Sequence, residues 1–322
     1  MRSGAVFQME VSHREPVRIR GYEFGNERGS RACAIVGSMR GNEVQQTFIC
    51  ARIVALLANL EHEGMINADK SVLVIPCVNP FSLNVQQRFW PVDRADVNRS
   101  FPGDALGGTT ERIAAAVLRV AQTYEYGIQL CSFNQQGDFL PHVRISYQGP
   151  ISDQSVALAQ DFGLPYVVTR IPSSFDKATL NYVWQQSGTH AFSLYSKATD
   201  RIDKGSAEVV TDAVLRFLAA SDIMPPSAVK AVSPVLATSV LREDELVDLR
   251  TKRSAGFLIT TVRVGDHVRR GQKLAQVLDA FDTHVLETLQ SPVDGRVFFM
   301  RTDSLVQQHM VVLRIVPDAT GD

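Results

Sequence analysis

The chain has little that would attract a charged partner. Its 322 residues carry 33 Lys and Arg against 34 Asp and Glu, a net charge of −1. No basic cluster stands out, so no long-range field draws in nucleic acid. No apolar run approaches the roughly 18 residues of a membrane span, and no membrane partner is expected. Met1–Arg20 alternates charged with apolar residues and lacks the apolar core of a signal peptide. Cysteine is scarce: Cys33, Cys50, Cys77 and Cys131 lie far apart with no Cys-x-x-Cys pair. That excludes a disulfide scaffold and makes a reducing cytoplasm the expected location. At 45% hydrophobic and 21% charged the composition is ordinary globular, and the length suits about two domains. Self-association as a homo-oligomer is left open.

The first part alternates strand and helix patterns. Arg31–Ser38 and Ser71–Val78 are short apolar runs that read as buried strands. Between them Val44, Phe48, Ile49, Ile53, Leu56, Leu57 and Leu60 recur at helical spacing, with Gly64 after them. Further on, the pattern predicts helices at Thr110–Glu125 (N-cap Thr109 or Thr110), Ser152–Phe162, Ala178–Gln186 and Ser206–Ala220. It predicts strands at Gly127–Phe133, Tyr166–Arg170 and His190–Ser196. Such alternation implies α/β, a mainly parallel or mixed sheet of roughly eight strands covered by helices on both faces.

The pattern changes at Met224–Pro234, which reads as a linker between residues 1–225 and 230–322. Beyond it no helix is expected, and the chain repeats itself. Val268–Val277 matches Val306–Ile315 at a constant offset of 38, and Ala255–Phe257 matches Asp294–Arg296 with a one-residue slip. This all-β segment resembles the biotinyl/lipoyl barrel-sandwich fold. The last lysine is Lys273, and the tip between the halves reads Asp279-Ala-Phe-Asp-Thr283. Without an attachment lysine there, a carrier function is excluded.

Asn79–Gly108 is rich in Pro, Asn, Arg and Asp, and a loop so long is usually functional. It contains Asn79-Pro80, Arg88 and Asp96-Val-Asn98-Arg99-Ser-Phe101-Pro102-Gly103. In that order these residues resemble the substrate loop of the succinylglutamate desuccinylase/aspartoacylase family, zinc deacylases with a zinc carboxypeptidase-like fold. The resemblance implies three zinc ligands, His and Glu at a strand-to-helix turn and His on a later strand. Three ligands leave a fourth position for water, whose pKa zinc lowers towards about 7. A Glu acts as general base, one Arg polarises the scissile carbonyl, and an Asn-Arg pair grips the substrate carboxylate.

The chain departs from that pattern. Its Gly-x-His-Gly-x-Glu segment reads Ser38-Met39-Arg40-Gly41-Asn42-Glu43. Its Asp-Leu-His-Thr strand reads Gln129-Leu130-Cys131-Ser132. The Thr-Leu-Glu-Leu-Gly strand reads Ser193-Leu194-Tyr195-Ser196-Lys197. The metal-ligand positions thus hold Arg40, Glu43 and Cys131, and the general-base position holds Tyr195. Arg88 (carbonyl-polarising), Asn98 and Arg99 remain, and with Arg40 they are the substrate-binding candidates, expected to face one pocket.

Three readings stay open. One is a family member without zinc, with no cofactor, binding a small carboxylate or N-acyl amino acid. Another is an active amide hydrolase holding zinc through Glu43, Cys131 and His142. The third is a structural or assembly subunit. Blander roles compete: Glu43 favouring its helix dipole, Cys131 as a small core residue, and Tyr195 as a packed strand tyrosine.

Overall fold

The two apolar runs pair side by side because each is hydrophobic on both faces and must be covered on both. In the computed structural model, which describes residues 1–10, 15–133, 136–147, 149, 151–229 and 238–318, they form the middle of a nine-stranded sheet. The chain divides into two units: Met1–Ser132 with Pro141–Val240, and Phe133–Leu140 with Leu241–Asp322. Residues 230–234 of the expected linker lie outside the described residues.

The strands of the large sheet, in chain order, are β1 (Arg2–Met9), β2 (Val17–Gly25), β3 (Ser30–Ser38), β4 (Lys70–Cys77) and β5 (Tyr126–Cys131). After β6 (Gly137–Phe139), which lies elsewhere, come β7 (His142–Ser146), β8 (Tyr166–Arg170), β9 (His190–Tyr195) and β10 (Ser239–Arg242). Their spatial order is β1-β2-β4-β3-β5-β9-β7-β8-β10. The centre is parallel (β4, β3, β5, β9), and β7 returns antiparallel to β9. Helices α1 (Val44–His62), α4 (Asp153–Gln160) and α6 (Lys204–Ala220) cover one face; Ile53, Ala159 and Phe217 share its core. On the other, α3 (Thr109–Ala121) and α5 (Leu180–Gln186) bury Val117 and Trp184. This is the expected fold class.

Several details differ from the pattern reading. The β1–β2 hairpin was not legible, because β1 is mostly exposed and shows no alternating burial. The long loop is not featureless: it contains α2 (Pro80–Leu83), capped by the Asn79 side chain, and a 3-10 turn at Val97–Arg99 capped by Asp96. The N-cap of α3 is Gly108, not Thr109 or Thr110, and Glu111 Oε2 accepts from the Gly108 N–H at 2.8 Å.

The second unit is built from the repeat. Its strands are β11 (Val247–Arg250), β12 (Gly256–Thr260), β13 (His267–Val268) and β14 (Lys273–Leu278), then β15 (Val285–Gln290), β16 (Gly295–Arg301), β17 (Leu305–Val306) and β18 (Val311–Pro317). One sheet runs β11-β18-β16-β13 and the other β15-β14-β12-β17, with β6 added on β16. Each sheet therefore takes two strands from each repeat, the signature of a pseudo-twofold sandwich around Val268, Leu274, Val297 and Val312. Even the turns correspond: Gly271 and His309, one repeat apart, both have left-handed backbone, φ 81° and 62°.

The first residues of β12 and β16 test this equivalence. A Cβ on Gly256 would lie 2.0 Å from the Leu278 carbonyl oxygen, and one on Gly295 would lie 2.2 Å from that of Val316. Both obstacles are backbone, which cannot swing aside. Gly256→Ala and Gly295→Ala should each destabilise the second unit by about 1–3 kcal/mol, the usual scale of overpacking, measured by thermal unfolding. If both variants melt like the parent chain, the close strand approach is wrong.

Candidate functional site

The turn between β3 and α1 brings Arg40 and Glu43 into the interior. Glu43 stands at the N-cap of α1 but its carboxylate makes no cap bond to the helix. It folds back over the turn instead. Glu43 Oε2 accepts from the backbone N–H groups of Met39 at 2.8 Å and Arg40 at 3.1 Å. Oε1 accepts from Arg40 Nη1 at 3.3 Å and from the Ser132 hydroxyl. Gly41 is needed here because a Cβ would meet the Ser82 backbone at 2.2 Å.

The Arg40 guanidinium is shared with the long loop. Its Nε donates to both oxygens of Asp96, at 3.1 and 3.0 Å. Asp96 also accepts from Arg88 Nη2 at 3.0 Å and from the Asn98 N–H at 3.1 Å. Arg40 is 3% exposed and Glu43 2%. Burial disfavours the Arg40 cation, but Glu43 and Asp96 more than offset it, and the pKa rises above the ordinary arginine value. Arg40 is therefore a fixed positive charge.

Beside this cluster lies a polar strand face. Strand register places Cys131, Tyr195 and His142 in one row across β5, β9 and β7, and Gln129, Ser193 and Arg144 in the next. Residues two apart share a face. The Tyr195 ring stacks on His142 with centroids 4.7 Å apart at 2°, and the Arg144 guanidinium lies 4.7 Å from the Tyr195 centroid. Burial pushes the Cys131 thiol up to about 11, with Arg144 and the Ser193 hydroxyl opposing. A thiol so poised is protonated and a poor nucleophile at neutral pH.

The three loop residues make different contacts. Arg88 joins Asp96. Asn98 Oδ1 accepts from Gln129 Nε2 at 3.0 Å and from the Leu180 N–H at 3.3 Å. Arg99 donates to the Phe175 carbonyl and sits 3.6 Å from Asp176, which also pairs with Arg170 at 3.0 Å. Burial alone would raise the Asp176 pKa; hydrogen bonds from Ser173 and the charges of Arg170 and Arg144 lower it below the usual carboxylate range. Pattern reading assigned no role to Asp96, Ser132, Gln129 or Asp176. For Gln129 a signal existed, its two-residue spacing from Cys131.

As they stand, these side chains do not fit zinc. Both oxygens of Glu43 are already engaged by two donors each, and Arg40 holds a permanent charge against the carboxylate. Among the described residues, the one group of three His, Cys, Asp or Glu side chains whose ligand atoms lie within 4.8 Å of each other is Asp279, Asp282 and His284, in the second unit. Glu43, Cys131 and His142 are not so gathered.

The model of the succinylglutamate desuccinylase/aspartoacylase catalytic domain matches residues 30–220, more than half of the chain. The chain belongs to the succinylglutamate desuccinylase/aspartoacylase family. Over 100 residues this family member is 32% identical to the N-alpha-acetyl-L-2,4-diaminobutyric acid deacetylase of Halomonas elongata, a match that spans 30% of this chain and only 29% of that relative. A succinylglutamate desuccinylase/aspartoacylase from Rhodobacter sphaeroides superimposes with TM-score 0.79 at 20% identity, covering 99% of this chain and 96% of the other. The product-bound ectoine utilization protein EutE (DoeB) of Ruegeria pomeroyi gives TM-score 0.78 at 18% identity, covering 98% and 95%. At such identities these likenesses establish the fold. No helix among the described residues is long and apolar enough to cross a membrane.

Arg40→Met leaves Glu43 without its cation and Asp96 with Arg88 and the Asn98 N–H. Breaking a buried pair from one side costs about 3–5 kcal/mol. Denaturant unfolding at neutral pH should show that loss. An unchanged midpoint would mean that Arg40 is solvated.

Proposed function

We propose that this family member binds a small carboxylate or N-acyl amino acid without zinc and without hydrolysing it. The observation that carries this reading is the Arg40 guanidinium shared between Glu43 and Asp96. At about 4 Å and an effective dielectric of ~20, one pair of unit charges is worth ~4 kcal/mol, so a dication near Arg40 meets roughly twice that repulsion. Arg40 thus supplies the positive charge that the family pattern assigns to metal. Tyr195 stands at the general-base position with a reference pKa of about 10, and it is 2% exposed. Among the described residues, the nearby carboxylates of Glu43 and Asp96 are already bound to Arg40 rather than held for water.

The anion-holding side of the motif is intact. Arg88, Asn98 and Arg99 sit within one loop, are all partly accessible, and all carry donors. Planar guanidinium groups match carboxylates in geometry. The Halomonas relative is a deacetylase of an N-acetyl amino acid by name, which supports acyl amino acids as the ligand class.

The test is thermal unfolding with N-acetyl-L-aspartate, N-succinyl-L-glutamate and N-alpha-acetyl-L-2,4-diaminobutyrate, read beside amine release from each. Stabilisation by at least one of them is expected, with no amine released. Arg99→Ala should weaken that binding by about 1.5–3 kcal/mol, as for a charged hydrogen bond. Amine release that a chelator abolishes would instead support the active hydrolase with Glu43, Cys131 and His142. No stabilisation by any of the three would favour an assembly subunit.

A further inference from the structure

The Asn98 carboxamide is held from one end. Both donors that reach its carboxamide address one atom. Gln129 Nε2 donates to Oδ1 at 3.0 Å, and the N–H of Leu180, the first residue of α5, donates to the same oxygen at 3.3 Å. A first-turn N–H has no acceptor within its own helix, so Asn98 also satisfies a group that α5 leaves over. If the carboxamide turned over, its NH2 would face two donors and both bonds would be lost.

Its amide nitrogen is left for something else. Among the described residues no acceptor is bonded to Asn98 Nδ2, and it is not one of the sealed, unpartnered atoms, unlike Asn79 Nδ2 and Asn181 Nδ2. Asn98 is only half-buried. Gln129 shows the complementary feature. It is 1% exposed, and among the described residues its own buried Oε1 has no partner. A buried carboxamide that donates to Asn98 while its acceptor stays unsatisfied is costly as a packing element. That cost is intelligible if the donation itself has a use.

We propose that Gln129 is a positioning residue, which locks the Asn98 carboxamide so that Nδ2 is a dedicated donor to an acceptor oxygen of the ligand. The acceptor is a carboxylate or an acyl carbonyl oxygen. A ligand presenting an N–H or ammonium group at this point is rejected, because Asn98 cannot offer its oxygen. The use of this donor rests on the binding function proposed above; the lock itself does not.

The experiment uses Gln129→Glu and Gln129→Leu in the full chain, with N-acetyl-L-aspartate as probe at pH 5 and pH 8. At pH 8 a Glu side chain at 129 is an acceptor facing Asn98 Oδ1, and binding should weaken at least ten-fold. Burial raises a carboxyl pKa above its reference of about 4.3. At pH 5 the protonated side chain donates as Gln129 does, and most of the affinity should return. Gln129→Leu should bind weakly at both pH values, and the parent chain equally well at both. Parent-like binding by Gln129→Leu, or by Gln129→Glu at pH 8, overturns the proposal.

A measurement without ligand separates the two claims. The melting temperature of Gln129→Glu should fall further below the parent's at pH 8 than at pH 5. Adding Asn98→Ala should shrink that pH dependence by at least half, since the repelled oxygen is gone. An undiminished pH dependence refutes the lock. If the ligand-free result holds while the parent chain binds none of the probes, the binding function fails and the lock stands.

Discussion

A single buried cation organises the middle of this protein. Arg40 sits where a turn, a helix start and a long loop meet, and its guanidinium is divided between Glu43 and Asp96. Glu43 in turn ties the turn to the residue that follows β5, through Ser132. Asp96 ties Arg40 to Arg88 and starts the 3-10 turn that carries Asn98 and Arg99. Such an ion cluster is weak evidence for stability, since desolvation consumes much of the Coulomb gain. What the cluster shows directly is a set of links: it joins the turn, the start of α1 and the long loop through one guanidinium.

In the proposed reading, the same cluster lets a deacylase scaffold keep its substrate loop without zinc chemistry. Metal sites need ligands with free lone pairs and a neutral or negative surrounding. Here the carboxylate's lone pairs are occupied by N–H groups, the neighbouring thiol is held protonated by burial, and the nearest charge is positive. The proposed carboxylate binding needs only donors and positive charge, which Arg88, Asn98 and Arg99 carry between them.

The architecture was legible because it follows period. The 3.6-residue spacing of Ile49, Ile53 and Leu57 and the continuous runs at residues 31–38 and 71–78 are local signals. The offset-38 repeat foretold the second unit, and the sheets confirm it strand for strand. The site was legible only as positions in a motif. Its connections were not, because they join residues far apart: Arg40 to Asp96 across 56 residues, Asn98 to Gln129 across 31, Glu43 to Ser132 across 89. Neither propensity nor spacing encodes which donor meets which acceptor. The β1–β2 hairpin escaped for the opposite reason: its outer strand is so exposed that it carries no burial pattern.

The most direct test of the central claim is a zinc titration of the chain and of Glu43→Gln, followed by elemental analysis after gel filtration. The account predicts that both retain the same substoichiometric zinc, because Arg40 already holds the Glu43 carboxylate. One zinc per chain in the parent protein, lost in Glu43→Gln, would contradict it.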